Sequence, residues 1–225
     1  DLVIIKNRSS SNQNWYWADS VRGVSKQLRS DSLNNENDDS PYGVTGFNNA
    51  GFTVADIAAG NNNVNGAVGG TYSGNAQFVS YCFKMLDNNN NAPIEMDGGT
   101  VDSLVSASPS AKFTNAASGT STVSHGLSLP LELIIMKQTD GTTNWVVYNV
   151  NGGAGRTLNI NTLGSYSADN ASAQWGSVPT SSLFTVTNNS SLTNGSKPHI
   201  AYCFHSVSNF SKIGSYNGDN STDRL

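Results

Sequence analysis

One short apolar segment occurs twice in this chain. Leu2-Val3-Ile4-Ile5-Lys6 matches Leu133-Ile134-Ile135-Met136-Lys137, and Asn14-Trp15 matches Asn144-Trp145. Such a recurrence restricts the fold strongly, because each copy has to form the same local structure. The second copy indicates which structure that is. Leu131 to Lys137 is an apolar run of strand length, Thr139-Asp140-Gly141-Thr142 reads as a turn, and Trp145 to Tyr148 is rich in aromatic and β-branched residues. Asp-Gly supplies the positive φ angles that hairpin turns need, so the stretch is a predicted β-hairpin.

Further segments follow in the same order. Arg156-Thr157-Leu158-Asn159-Ile160 takes the place of Lys26-Gln27-Leu28-Arg29, and Leu183-Phe184-Thr185-Val186 that of Gly51-Phe52-Thr53-Val54. Pro198 to Phe204 takes the place of Gln77 to Phe83. Phe210 to Tyr216 stands after the second closing strand where Lys112-Phe113-Thr114 stands after the first. Insertions between the copies fall in Asn-, Ser- and Gly-rich segments, which read as loops. The Asn run within Asp87 to Ala92 is the expected connector. The first half shows no helical apolar period, since Asp31 to Asp39 is polar all round and Val54 to Ala59 is too short.

The expectation is an all-β fold with two tandem related β-sandwich-like (jelly-roll-like) units, residues 1–92 and 93–207. Residues 208–225 read as the start of a third, truncated unit, and the chain as a fragment of a longer repeat protein. Each unit packs its apolar hairpin face on a second sheet. A repeat cut in this way leaves an edge strand that a neighbour can cover by adding a strand.

Composition narrows the function. Only 12% of residues are charged, about half the usual share, and the formal net charge is -4. That leaves no basic field for nucleic acid or an acidic membrane. No apolar run reaches the roughly 20 residues of a membrane helix. Cys82 and Cys203 sit in matching contexts, Ser80-Tyr81-Cys82-Phe83 and Ala201-Tyr202-Cys203-Phe204. They read as two buried apolar residues rather than a disulfide.

Candidate chemistry is sparse. His199, Cys203 and His205 share one strand parity, yet no fourth ligand is evident, so no metal site is expected. Asp19, Asp56, Asp97, Asp102, Glu132, Asp140 and Asp169 stand singly, and Asp38-Asp39 lie in an apparent loop. A glycosidase needs two carboxyl groups held roughly 5 to 10 Å apart, and no such pair is legible, so no catalytic residue is expected. No nucleophile elbow or phosphate loop is present either, and no cofactor is expected. Trp15 and Trp145 recur at one position of the copies and are expected in the core. Trp17 and Trp175 have no copy and are the candidates for exposed contact with sugar rings.

The pieces Ile134-Ile135-Met136-Lys137, Asn144 to Tyr148, Ile200 to Phe204 and Phe210 to Thr222, in this order, resemble a repeated domain of unknown function. That domain occurs in tail-fibre and other virion structural proteins of marine bacteriophages. Val105 to Pro109, Ser124-His125-Gly126-Leu127 and Asp19 to Gly23 add to the resemblance, while Val150-Asn151-Gly152-Gly153 and Asn88 to Asp97 depart from it. The resemblance implies an extracellular, virion-borne structural role, a homo-oligomer (a trimer, as in fibres), contacts with other virion proteins, and attachment to a host surface. It supplies no catalytic residue or cofactor. The competing expectations are a lectin-like carbohydrate-binding module and a subunit of a microbial extracellular filament.

Overall fold

The computed structural model describes residues 1–9, 13–48, 50–55, 64, 76–83, 94–96, 99, 103–106, 108–165, 167–168, 174–188 and 193–218. Among them the chain forms β-strands and no helix, and the strands pair antiparallel throughout.

The first sheet contains β1 (Leu2–Asn7), β2 (Trp15–Asp19), β3 (Lys26–Arg29), β4 (Asn37–Asp38) and β7 (Phe78–Phe83), in the order β4-β3-β2-β1-β7. The hairpin of β5 (Gly43–Asn48) and β6 (Gly51–Ala55) is separate. The larger sheet has the order β15-β14-β13-β12-β17-β10-β9-β8. Its strands are β8 (Ile94–Met96), β9 (Ser103–Ser106), β10 (Ser108–Thr114), β12 (Leu133–Gln138), β13 (Val146–Asn149), β14 (Arg156–Asn159), β15 (Ser167–Ala168) and β17 (Pro198–Phe204). Finally β11 (Thr120–Ser124) pairs with β16 (Leu183–Thr187).

Strand alternation sends side chains to both faces of each large sheet, and three cores result. Val3, Ile5, Tyr16 and Ala18 pack with Val44 of β5, and Phe47, Phe52 and Val54 join them. The opposite face of the same sheet presents Leu2, Trp17 and Leu28 to Trp145, Ile200 and Tyr202 of the larger sheet. The far face of the larger sheet presents Ile134, Met136, Tyr148 and Cys203 to Val123, Phe184 and Val186 of β11 and β16. The order of layers is therefore hairpin, first sheet, larger sheet, strand pair.

The two large sheets share strand order and register. Leu2 pairs with Asp19 and Phe83, and Leu133 with Asn149 and Phe204. Val3 lies between Ala18 and Cys82 as Ile134 lies between Tyr148 and Cys203. Trp17 pairs with Leu28 as Val147 pairs with Leu158. Both second strands end in a turn closed by a glycine amide. Gly23 donates to Asp19 O and Gly153 to Asn149 O, each at 3.2 Å, and both glycines have positive φ (100° and 70°), which glycine adopts at low cost.

Two details differ from expectation. The β12–β13 hairpin forms, but Gly141 is not among the positive-φ glycines. The connection is too long for a two-residue turn, and Lys137 Nζ closes it by donating to Gly141 O at 2.9 Å. A Cβ at Gly141 would meet the Gln138 carboxamide, the mobile end of a flexible side chain, so a larger residue there would only have to displace that end. Second, Cys82 is exposed while Cys203 is buried, and both are free thiols. The cause is coverage. β10 flanks β17 and β16 lies over it, whereas β7 is an edge strand among the described residues.

Candidate functional site

The interface between the two large sheets holds a buried charged cluster. Asp19 ends β2, and Arg22 sits in the turn that follows, three residues on. The Asp19 carboxylate accepts the Arg22 backbone amide at 2.8 Å and Arg22 Nε at 2.5 Å. Arg22 also donates to Trp17 O at 2.8 Å, to Glu36 at 3.1 Å and to the Tyr202 hydroxyl at 3.3 Å. The Tyr202 hydroxyl in turn donates to Asp19 Oδ2 at 2.8 Å. Burial alone would lower the Arg22 pKa, but Asp19, Tyr202 and Glu36 hold it above its ordinary value. Burial raises the Tyr202 pKa well above the usual phenol value, and Asp19 adds to this. Each polar group here is satisfied by a protein partner, so the cluster joins the sheets and presents no reactive group to a substrate.

More polar contacts cross the same interface. Trp145 Nε1 donates to Arg29 O at 2.8 Å, Glu36 N to Thr139 O at 2.7 Å, and Lys137 Nζ to Leu33 O at 3.2 Å. Lys137 is buried with three oxygen acceptors, the third being Thr143 Oγ1 at 3.2 Å. Burial lowers its pKa to about 8, although Asp140 acts in the other direction.

The candidate sugar-contact residues do not lie where expected. Trp17 is 7% exposed and is enclosed by Trp145 and Tyr202, with ring centroids 5.2 and 5.1 Å away. Trp175 is 1% exposed and meets Tyr148 edge to face at 5.8 Å. The expectation of exposure is corrected for both, because sheet packing gives each ring an aromatic partner. Trp145 is in the core as expected, whereas Trp15 is only half buried.

Trp15 lines an open groove of about 490 Å³ with Ile4, Trp17, Ser30, Asp31, Tyr81 and Ile160, and the mostly buried Trp17 contributes only its small remainder of exposed surface there. Its ring lies 6.0 Å from that of Tyr81, which is 51% exposed. The Lys6 ammonium lies 5.6 Å from the Trp15 centroid, and Asp31 Oδ1 accepts the Trp15 amide at 3.3 Å. Two aromatic rings beside an exposed carboxylate can stack on and hydrogen-bond a polar ring. Tyr81 and Asp31 escape sequence reasoning because nothing near them in the chain marks them. The copies offered one signal. Tyr81 and Tyr202 occupy matching ladder positions, and only Tyr202 has a sheet over it.

The other candidates are accounted for locally. His199 is buried on Phe113, 5.5 Å between ring centroids, with Nδ1 2.9 Å from Lys197 O. Burial lowers its pKa to about 4, with Lys197 O opposing. Cys203 shares that face of β17, and burial pushes its thiol above the ordinary range. His205 lies past the strand end, and among the described residues no cluster of three His, Cys, Asp or Glu is placed to hold a metal ion. Glu132 accepts a bond from Ser206, Asp140 from Lys197 and Gln138, and Asp38 from Lys26. Asp56, Asp97, Asp102 and Asp169 lie outside the described residues, as does the connector at Asp87 to Ala92.

Stacked antiparallel sheets, locked by a satisfied charged cluster and flanked by an aromatic groove, define a layered all-β protein. The chain belongs to the family described as "Domain of unknown function (DUF7483)", whose model matches residues 1–225. No curated protein and no solved structure matches it.

Proposed function

We propose that this chain is a non-enzymatic structural module of a bacteriophage tail fibre or other virion appendage that serves attachment to the host surface. In this reading it contains two related β-sandwich-like units, residues 1–92 and 93–207, followed by the start of a third, and it works as a homotrimer among other virion proteins. The observation that carries the reading is the shared strand order and register of the two large sheets. Units that pack face to face through a satisfied polar cluster extend readily into a rigid rod, as repeat proteins do. The low charge and the ordered motifs support the same reading. Gold-labelled antibody against this chain, applied to virions from the native source, should mark an appendage in electron micrographs. Label confined to free filaments or soluble material would remove the virion assignment.

A second reading is carbohydrate binding, favoured by the groove of Trp15, Tyr81 and Asp31. Trp15→Ala or Tyr81→Ala should abolish binding on a glycan array if the groove is the site, while Trp175→Phe should leave it intact. Binding that survives both alanine variants would exclude the groove.

A further inference from the structure

The two closing strands, β7 and β17, match in register but differ in their outer neighbour. β17 has β10 on that side, with Ser110 opposite Tyr202, Ala111 opposite Ala201, Lys112 opposite Ile200 and Phe113 opposite His199. β7 ends its sheet among the described residues. The lack of a neighbour shows in burial. Ala201, Tyr202 and Cys203 are buried, whereas Ser80, Tyr81, Cys82 and Phe83 are exposed. An apolar cleft of about 210 Å³ opens beside β7, lined by Val3, Phe47, Phe52, Cys82 and Phe83 among others. Edge strands with bare apolar side chains are templates for strand addition.

The molecule also carries a segment suited to that edge. Phe210-Ser211-Lys212-Ile213 comes after the closing strand β17 as Ser110-Ala111-Lys112-Phe113 comes after the closing strand β7, with lysine and a large apolar residue at the same step. The segment has no ladder partner among the described residues beyond an isolated bridge between Val207 and Ser211. Phe210 is 88% exposed and Tyr216 is 87% exposed. The segment is held only by local bonds among the described residues, from the Phe210 and Ser211 amides to Val207 O and from the Ile213 amide to Ser206 Oγ, and its exposed rings complement a matching edge that no described strand covers.

We infer that the outer edge of β7 accepts the Phe210–Tyr216 segment of a second copy of this chain as an added antiparallel strand. The β10–β17 ladder supplies the register. Phe210 lies opposite Tyr81, Ser211 opposite Ser80, Lys212 opposite Val79 and Ile213 opposite Phe78. Ile213 then covers Phe78 as Phe113 covers His199. Asn209 falls opposite Cys82. Donor and acceptor are different parts of the chain, so the contact is heterologous and either closes a ring or continues as a filament. The inference rests on the matched ladders and does not depend on the virion assignment.

Cysteine pairing tests the register in the full chain. A disulfide needs Cα atoms within about 7 Å, so Asn209→Cys should link to Cys82 of another copy under mild oxidation, whereas Lys212→Cys, three residues along the strand, should not. Non-reducing electrophoresis should show a ladder of linked chains for Asn209→Cys alone. A second arm uses sedimentation. The unmodified chain should self-associate, and Phe210→Asp with Ile213→Asp, both in the exposed tail, should weaken this by at least about tenfold at unchanged circular dichroism. A link formed within one chain between Cys82 and the thiol introduced by Asn209→Cys, equal ladders from both cysteine variants, or association unaffected by the aspartates would each overturn the inference.

Discussion

Arg22 carries a positive charge into the interface between the sheets, where it meets the carboxylates of Asp19 and Glu36 and the hydroxyl of Tyr202. Arg22→Met removes the charge but not its partner, leaving the Asp19 carboxylate buried and unpaired. Breaking a buried pair in this way costs about 3–5 kcal/mol, so the urea midpoint should fall accordingly. Asp19→Asn together with Arg22→Met should recover part of the loss, because two uncharged partners need less compensation. His199 acts with the opposite logic. Its folded pKa is lowered to about 4, whereas in the unfolded chain it is near 6.5. The unfolded state therefore binds more protons between these values, and stability is full above pH 6.5 and declines as pH falls toward 4. The loss is on the order of 3 kcal/mol across that window. His125, whose pKa burial also lowers, adds to it. Urea titrations at pH 7 and pH 4.5 should differ, and His199→Phe should reduce the difference. None of this was legible in the sequence. Asp19 stood among the single carboxylates and Arg22 only in a segment that adds to the family resemblance, and what makes them matter is Tyr202, far away in the chain.

The strands of the two matching ladders were legible, because short apolar strings bounded by Gly, Asn and Pro admit few other structures. Their neighbours were not. β5 pairs with β6, while the strand at the place of β6 in the other half, β16, takes β11, which precedes its hairpin. A string of residues encodes an apolar face but not which strand arrives to cover it. The cysteines show the consequence. They share sequence context and ladder position, yet Cys82 is exposed and Cys203 is buried. With a thiol reagent in native buffer, Cys82 should react fully and Cys203 only after denaturation. Equal reaction rates would mean that β17 is less covered than its packing against β10 and β16 indicates.

At the scale of the whole molecule, the aromatic cluster between the large sheets makes them interdependent. Trp17 is central to it, between Trp145 and Tyr202. Trp17→Ala opens a cavity at the shared interface and should cost about 3–5 kcal/mol. Trp17→Phe should cost far less, since it keeps a ring there and removes an indole N–H that has no hydrogen-bond partner. Hydrogen exchange on Trp17→Ala should speed up in β12 and β17 as well as in β1 and β2, because both sheets lose the same support. The sequence misjudged this residue for a physical reason. Lack of a counterpart elsewhere in the chain marked Trp17 as free for binding, but the two large sheets meet through corresponding faces, Ile4 and Trp15 on one with Ile135 and Trp145 on the other, and Trp17 lies on that covered face. A residue unique to one copy is then as suited to the seam between them as to solvent.

The hydrogen bond from Tyr202 to Asp19 spans 183 residues of chain. Synthesis at 5–20 residues per second separates the two partners by roughly 10 to 40 s. During that interval Asp19 and Arg22 have each other but not the phenol that completes their surroundings, and Trp17 has neither of its ring neighbours. The nascent first sheet therefore waits on the ribosome with the apolar face of Leu2, Trp17 and Leu28 uncovered. A chaperone has its main opportunity in that interval, and a stalled or truncated chain is most prone to aggregate there.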